Sequence, residues 1–281
     1  MPHPVCGVTV RTVQRDSPDP YPAWLAYEPE LVPPLGLMAL EGIEVIEEWL
    51  RWGEEWSVLL RAYAGLGRST AALEIGCGLG RIAFPLRYVL GASGSYDGFE
   101  IVRAKVEFLT AHFTPSYPNF RFTWADVLNT HYNPEGKVEA REYVFPYPDA
   151  SFDVVFAASV FTHMSPENTA RYLAESARVL RPGGRCLFSF FLLDNYQPPS
   201  LRPKPFARAD FDFDEHERPD GFAASFPTDP ERMTAYRVSL VERLAGGAGL
   251  CLAGEPLPGY WSGRANWVGA QDLLVFERRE R

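Results

Sequence analysis

Cysteine is scarce in this sequence of 281 residues, and no two cysteines are close together. There is no C-x-x-C pair, and the four cysteines are widely separated: Cys6, Cys77, Cys186 and Cys251. A disulfide framework or a cysteine-based zinc site needs thiols at short, regular spacings. The pattern therefore argues against both, and it is typical of reduced thiols in a cytoplasm.

The sequence also lacks a long uncharged apolar run, a basic N-terminal leader and an excess of positive charge. A membrane-spanning helix needs about 20 mostly apolar residues, and a secretion signal begins with a basic stretch. The formal net charge of -9 disfavours a broad phosphate-binding face. We therefore predict a cytoplasmic protein that acts on a small molecule or a glycan, with no membrane or nucleic-acid partner; homo-oligomerisation stays open.

Three glycines at alternate positions interrupt an apolar stretch at residues 73–81 (LEIGCGLGR). A strand that ends in such a turn exposes backbone N–H groups and a helix N-terminus to a ligand, because glycine has no side chain to hold the ligand away. The dinucleotide fingerprint is G-x-G-x-x-G, whereas here the third glycine comes one place early and Arg81 follows it. The stretch predicts a nucleotide-cofactor loop of another type; an ordinary strand-to-helix turn is the alternative.

Strand-like and helix-like segments alternate after this loop. Predicted strands cover residues 95–101, 120–126, 151–159 and 185–193, separated by predicted helices at 102–113 and 166–180 and by a turn at 181–184. Strands separated by helices of this length predict a parallel sheet built from βαβ units. A helix at 233–248 and strands near 250–252 and 271–277 are predicted to close the chain.

Two other segments depart from this pattern. Residues 1–63 are predicted to form an irregular, proline-rich arm to residue 36 and then a helix from 37 to 63 whose apolar stripe packs on the core. Trp52 and Trp56 of this helix are additional candidates for the wall of a substrate cleft. The main domain then covers residues 64–281. Within it, residues at about 194–232 are rich in prolines, acids and aromatics, which predicts a lid or cap insertion after the fifth strand.

Five short motifs in sequence order resemble those of the class I S-adenosyl-L-methionine (SAM) methyltransferases. They are EIGCGLG at 74–80, GFEI at 98–101, ADV at 125–127, FDVV at 152–155 and RVLRPGG at 178–184. The resemblance implies a Rossmann-like α/β fold with a mostly parallel seven-stranded sheet and helices on both faces. It also implies SAM as the cofactor, S-adenosylhomocysteine as its product, and an enzyme of the EC 2.1.1 class.

The resemblance also assigns a set of cofactor-binding residues. In that family an acidic residue at the end of the second strand holds the ribose hydroxyls, which matches Glu100, with Asp97 as the weaker alternative. Asp126, after the third strand, matches the residue that contacts the adenine amino group. The full set is Glu74, Gly76, Cys77, Gly78, Gly80, Arg81, Glu100, Ile101, Asp126, Val127 and Ser159.

His163 is the candidate catalytic residue, because it follows the fourth strand at the carboxyl edge of the predicted sheet. Methyl transfer requires alignment of the acceptor with the methyl donor, and a hydroxyl acceptor must also lose a proton. An imidazole with a pKa of about 6.5 is a suitable base. The alternative is that His163 caps the following helix or lines the cofactor pocket without transferring a proton.

The acidic run within the insertion is a weaker candidate site. Asp210, Asp212, Asp214, Glu215 and His216 have the oxygen-rich character that Mg²⁺ prefers, although such runs are more often solvated faces. A metal is therefore not expected, and Mg²⁺ remains the alternative.

The acceptor is the least constrained prediction. The sequence lacks the Asn/Asp-Pro-Pro-aromatic tetrad of nucleobase amino-methyltransferases. The segments FPY at 145–147, SVFTHM at 159–164, FFLL at 190–193, WSGR at 261–264 and QD at 271–272 are similar to a bacterial group associated with polysaccharide and glycoside modification. That similarity implies O-methylation of a sugar hydroxyl. The alternatives are O- or N-methylation of a non-sugar natural product, or SAM binding without methyl transfer.

Overall fold

The computed structural model describes residues 28–196, 213, 217–226 and 228–279. In chain order its helices are α1 (Leu35–Met38), α2 (Ile46–Tyr63), α3 (Ala83–Leu86), α4 (Arg103–His112), α5 (Pro166–Val179) and α6 (Val238–Gly247). Its strands are β1 (Ala71–Ile75), β2 (Ser95–Glu100), β3 (Phe120–Trp124), β4 (Phe152–Ala157), β5 (Leu180–Phe190), β6 (Phe222–Ala224), β7 (Thr234–Tyr236), β8 (Leu250–Leu252) and β9 (Asp272–Arg278). None of the described helices is long and apolar enough to cross a membrane.

Seven of the strands form one sheet in the order β3-β2-β1-β4-β5-β9-β8. Strands β1 to β5 pair in parallel, whereas β9 runs antiparallel to both of its neighbours. The strand order reverses at β1, which has β2 on one side and β4 on the other, and ligands bind open α/β sheets at such a point. The predicted Rossmann-like class I methyltransferase fold is thereby confirmed.

Helices cover both faces of the sheet, because side chains along a central strand alternate between two apolar clusters. Val154 and Phe156 of β4 belong to a cluster with residues of α2, α3 and α4. Val155 and Ala157 belong to a second cluster with residues of α5 and α6. This double burial explains why β4 reads as a continuous apolar run instead of an alternating one.

The predicted turn at residues 181–184 lies inside a strand. Phe152 pairs with Leu180, and the next paired residues are Val154 and Arg185, so four residues of β5 oppose one residue of β4. Gly183, with a φ of 73°, supplies the left-handed conformation within this irregularity. The glycine pair therefore makes a bulge, and the strand begins five residues earlier than predicted.

The N-terminal helix begins later than the predicted residue 37. The chain from 35 to 41 forms α1 and a 3₁₀ turn (Ala39–Glu41), and Gly42, with a φ of 67°, ends this turn before α2 starts at Ile46. Residues 1–27 of the predicted arm lie outside the described residues. The described part of the arm packs through buried Leu31, Met38 and Ile43.

The predicted insertion contains a short hairpin in its described part. β6 pairs antiparallel with β7, and Tyr236 of β7 bridges to Leu192 just after β5. The predicted helix at 233–248 therefore begins only at Val238, because residues 234–236 are strand. Residues 229–233, in the loop between these two strands, lie at the carboxyl edge of the sheet.

Candidate active site

A cavity of about 640 Å³ lies at the carboxyl ends of β1, β2 and β4. Ten of the twelve residues proposed from sequence line it: Glu74, Gly76, Cys77, Gly78, Arg81, Glu100, Ile101, Val127, Ser159 and His163. We call the part formed by the loops after β1, β2 and β3 the cofactor half. The part formed by the end of β4, residues 229–233 and residues 260–271 is the acceptor half.

The glycine loop follows β1 and has no room for larger side chains at two positions. A Cβ on Gly76 would lie 2.7 Å from Cγ2 of Val160, and a Cβ on Gly78 would lie 2.4 Å from Oε1 of Glu41. Both glycines also have positive φ angles, of 67° and 53°. The alternating glycines are therefore required by the shape of the loop and by the approach of neighbouring groups.

Glu100 ends β2 with its carboxylate turned toward the glycine loop. One oxygen accepts the N–H of Gly78 at 3.0 Å, and the other accepts the N–H of Val102 at 2.8 Å. Asp97, the alternative ribose ligand, instead forms a two-pronged pair with Arg121 at 2.8 and 2.5 Å. Glu100 lines the cavity, whereas Asp97 is absent from its lining.

Glu74 is buried beneath the cofactor half. The hydroxyl of Tyr96 donates a hydrogen bond to its Oε2, and burial raises the pKa of Glu74 to about 8. Above it, the Arg81 guanidinium lies 5.1 Å from the centre of the Trp52 ring. The loop therefore presents a cation on an aromatic surface next to a protonatable acid.

Two residues of the proposed set do not reach the cavity surface. A Cβ on Gly80 would lie 2.6 Å from Cδ2 of Leu109, so this glycine permits packing of the loop against α4. The backbone carbonyl of Asp126 accepts the N–H groups of Lys137 and Val138 at 3.1 and 3.0 Å. Neither lines the cavity, so the adenine role of Asp126 stays a prediction.

The cofactor half fits the nucleoside cofactor that the fold implies. Exposed loop backbone, the Glu100 carboxylate and apolar walls from Ile101 and Val127 meet at one end of the cavity. The carboxylate oxygens of Glu100 retain lone pairs that a ribose diol is able to use. In the part of the chain that the structure describes, no group of three His, Cys, Asp or Glu side chains is placed to hold a metal. The acidic run at 210–216 lies outside that part, apart from Phe213.

His163 ends a 3₁₀ turn (Phe161–His163) after β4 and faces the acceptor half. Its Nδ1 lies 3.0 Å from the carbonyl oxygen of Glu231. A carbonyl only accepts hydrogen bonds, so Nδ1 carries the proton and Nε2 carries the lone pair. Burial lowers the pKa of His163, which favours the neutral imidazole.

Glu231 is fixed in turn by its own side chain. Its Oε2 accepts hydrogen bonds from Nδ2 of Asn129 at 3.2 Å, the N–H of Thr130 at 3.0 Å and the hydroxyl of Thr130 at 2.9 Å. Nearby, His131 Nε2 lies 2.8 Å from the carboxylate of Asp229. The loop after β3 and the segment before β7 are therefore joined by these hydrogen bonds beside His163.

Ser159 has a left-handed backbone, with a φ of 62°. Its N–H donates to Oγ of Ser189 at 2.7 Å, and its Oγ accepts from Nε2 of Gln271 at 2.6 Å. The Ser189 hydroxyl donates to Oε1 of Gln271 at 2.7 Å, which closes a ring of hydrogen bonds. The Ser159 hydroxyl proton remains as a donor at the cavity surface.

Asp272 fixes the chain segments that lie behind this ring of hydrogen bonds. Its carboxylate, fully buried, accepts hydrogen bonds from the N–H of Leu192, Nδ2 of Asn195, the N–H of Gly259 and Nε1 of Trp261. Four donors from two separate segments compensate for the burial of the charge. Trp261 is thereby placed at the cavity surface.

Several residues of the site were missed by the sequence analysis. Glu41, Glu55, Tyr132 and Glu231 line the cavity, but none stands in a recognisable motif. Gln271 precedes β9; the sequence marked it, with Asp272, only as part of the similarity to the glycoside-associated group and gave it no role. Trp52 and Trp56 line the cavity as predicted.

Comparison with known proteins identifies a methyltransferase domain at residues 73–188. The arsenite methyltransferase of Aquipseudomonas alcaligenes is 32% identical over 130 residues, which are 46% of this chain and 35% of that protein. The 27-O-demethylrifamycin SV methyltransferase of Amycolatopsis mediterranei is 34% identical over 123 residues, which are 43% of this chain and 38% of that protein. The chain thus spans little more than a third of the length of these curated relatives.

Solved structures share the fold at low identity. The crystal structure of the [4+2]-cyclase SpnF has a TM-score of 0.51 and 16% identity, and the match covers 81% of each chain. This likeness shows the fold alone, since identity is low and one fold hosts different reactions.

Proposed function

We propose that this chain, a member of the class I SAM-dependent methyltransferase superfamily, transfers a methyl group to a hydroxyl of a sugar on a glycoside, oligosaccharide or glycosylated metabolite. The observation that carries the proposal is the imidazole of His163, whose Nδ1 is fixed by the Glu231 carbonyl at 3.0 Å. This contact leaves a basic nitrogen on the acceptor side of a cavity whose other half fits the cofactor.

The chemistry explains why such a nitrogen is useful. SAM, when bound, supplies an electrophilic methyl group on a sulfonium. An alcohol oxygen attacks well only as its proton leaves, so a base within hydrogen-bond reach of that proton lowers the barrier. His163 serves as this base, and the Glu231 carbonyl stabilises the imidazolium that forms. We assign the Ser159 hydroxyl a hydrogen bond that orients the acceptor, in place of the cofactor contact predicted from the sequence.

The lining of the acceptor half supports a sugar as the substrate. Aromatic rings of Tyr260 and Trp261, together with that of Trp56 from the adjoining helix α2, offer flat apolar surfaces that suit the C–H face of a pyranose. The carboxylate of Glu55 lies among them and accepts the N–H of Ala270 at 3.2 Å. Its remaining acceptor capacity suits a hydroxyl group of the same sugar.

The relatives named above act on different acceptors by their names, arsenite in one case and a rifamycin in the other. The methyltransferase domain alone therefore leaves the acceptor open, and the walls of the acceptor half must select it.

The test combines isotope-labelled SAM with glycosides, each paired with its own aglycone. We expect labelled methyl on the sugar, located by mass spectrometry of the product. Methylation of the aglycone at oxygen or nitrogen would contradict the sugar assignment and favour a non-sugar natural product. Binding of SAM with no transfer to any acceptor would favour a SAM-binding protein without this activity.

The same assay tests the base. His163→Ala should lower kcat by about 10²- to 10⁴-fold, because general base catalysis contributes that much. The dissociation constant of S-adenosylhomocysteine, measured by calorimetry, should stay within about 3-fold of the wild-type value. This change corresponds to less than about 1 kcal/mol of binding free energy. His112→Ala is the matched control, since His112 stacks on Phe108 of α4 and is absent from the cavity lining. Turnover near wild type in His163→Ala would refute the assignment.

A further inference from the structure

Glu41 reaches the cofactor half from outside the methyltransferase domain match, from the turn before α2. Buried Met38 and Ile43 flank this turn, and Gly42 closes it with a left-handed backbone. The side chain of Glu41 is only 12% exposed, although its neighbour Glu44 is exposed to solvent. The turn therefore directs this one carboxylate inward.

The carboxylate of Glu41 lies directly on the glycine loop. Its Oε1 accepts the N–H of Leu79 at 2.9 Å and lies 3.1 Å from Nζ of Lys105. The preceding N–H, that of Gly78, donates to Glu100 at 3.0 Å. Two consecutive backbone N–H groups thus bind two different carboxylates, one from each side of the loop.

Lys105 allows these two acids to share a buried site. Its side chain is 5% exposed, and burial lowers its pKa, but the charges of Glu100 and Glu41 outweigh that effect and raise the pKa. The ammonium therefore stays charged beside both carboxylates. Without it, two buried like charges would repel strongly.

The Oε2 atom of Glu41 has no hydrogen-bond partner among residues 28–196, 213, 217–226 and 228–279, and the side chain lines the cavity. We propose that Glu41 is a second ribose ligand of the cofactor site, which accepts a hydrogen bond from one ribose hydroxyl while Glu100 accepts one from the other hydroxyl. The proposal rests on SAM as the cofactor. It also means that cofactor binding fixes the turn at residues 35–45 onto the loop.

The experiment measures binding of S-adenosylhomocysteine and of its 2′-deoxy and 3′-deoxy forms by calorimetry. Glu41→Ala should weaken binding of the parent compound by about 10-fold or more, as expected for the loss of a hydrogen bond to a charged group. For the deoxy form that lacks the bonded hydroxyl, the substitution should have little effect, because that contact is already missing. Glu44→Ala is the matched control, with the same charge removed from the same turn.

A second variant separates binding from folding. Glu41→Gln keeps an acceptor for the Leu79 N–H, so it should fold like the wild type and still lose part of the affinity. Bound S-adenosylhomocysteine should slow hydrogen exchange at residues 35–45 in the wild type and less so in Glu41→Ala.

Three outcomes would overturn the proposal. The first is an unchanged affinity of Glu41→Ala for S-adenosylhomocysteine. The second is tighter binding by Glu41→Ala, which would show that Glu41 competes with the cofactor. The third is an equal loss of affinity for all three ligands. A wild-type protein that binds none of the ligands would instead refute the cofactor itself, and with it the proposed function.

Discussion

The two halves of the cavity differ in how far apart in sequence their interacting groups are. In the cofactor half, Gly78 and Glu100 are 22 residues apart and belong to consecutive βα units. In the acceptor half, His163 is paired with a residue 68 positions away and Ser159 with one 112 positions away. The centre of the cofactor half is therefore specified by a local motif, to which Glu41 adds a contact from 38 residues away, whereas the acceptor half depends on contacts between more distant segments.

This difference also separates the kinds of effect that substitutions should have. Changes in the cofactor half should alter binding of S-adenosylhomocysteine. Changes in the acceptor half should alter turnover and its pH dependence while that binding is retained. A substitution that altered both would contradict the division.

The two acids of β2 give the largest expected contrast. Glu100→Gln should weaken binding of S-adenosylhomocysteine by about 10- to 100-fold, because a carboxylate that faces the loop is replaced by a neutral amide. Asp97→Asn should leave the affinity within about 2-fold of the wild type, since Asp97 pairs with Arg121 away from the cavity. Calorimetry on both variants is the measurement, and equal losses would show that Asp97 also holds the ribose.

Glu231 offers an intermediate effect in the acceptor half. Glu231→Ala removes the three hydrogen bonds to Asn129 and Thr130, so its carbonyl is no longer held beside His163. We expect kcat to fall by about 10-fold, as for a misaligned base, with unchanged binding of S-adenosylhomocysteine. Glu231→Gln should recover part of the rate, because an amide oxygen accepts the same bonds.

Asp229→Asn is the matched control for Glu231. It alters the neighbouring contact between Asp229 and Nε2 of His131 and leaves the contacts of Glu231 in place. If Asp229→Asn lowered kcat as much as Glu231→Ala does, the effect would come from disturbance of the whole loop, and the Glu231 carbonyl would have no specific role.

The smallest expected effect is a shift in the pH profile. His163 must be neutral to accept a proton, and burial lowers its pKa from the usual value of about 6.5. The rate should therefore be constant above that value and fall as the pH drops through the lowered pKa. A profile of kcat/KM measured from acid to neutral pH checks this, and an acid limb above about 6.5 would contradict it.

The cofactor half was predictable because the reasons for its residues are local. A strand, three glycines and an acid at the end of the next strand specify a βαβ unit and its loop, and the fold places them together. Asp97 and Glu100 illustrate the limit, since only the structure shows that Arg121 engages the first and the loop engages the second.

In the acceptor half the sequence singled out His163, which follows a recognisable strand, whereas Ser159 at the same strand end was assigned to cofactor binding. Glu231 reaches His163 because the β6–β7 hairpin brings residues 229–233 to the sheet edge, and a strand of three residues gives too short a pattern to recognise. Glu41 was missed for a similar reason, since the turn between the short helix α1 and helix α2 has no periodic pattern. Its direction comes from the burial of Met38 and Ile43.

The contacts of Asp272 also make the acceptor half depend on the last strand of the sheet. Leu192 and Asn195 leave the ribosome well before Asp272, yet their N–H donors find this acceptor only when β9 adds beside β5. Because a domain folds as a unit, this wall of the cavity forms only after β9 has been synthesised. A chain that stops before residue 272 would therefore contain the whole glycine loop and still lack one wall of the cavity.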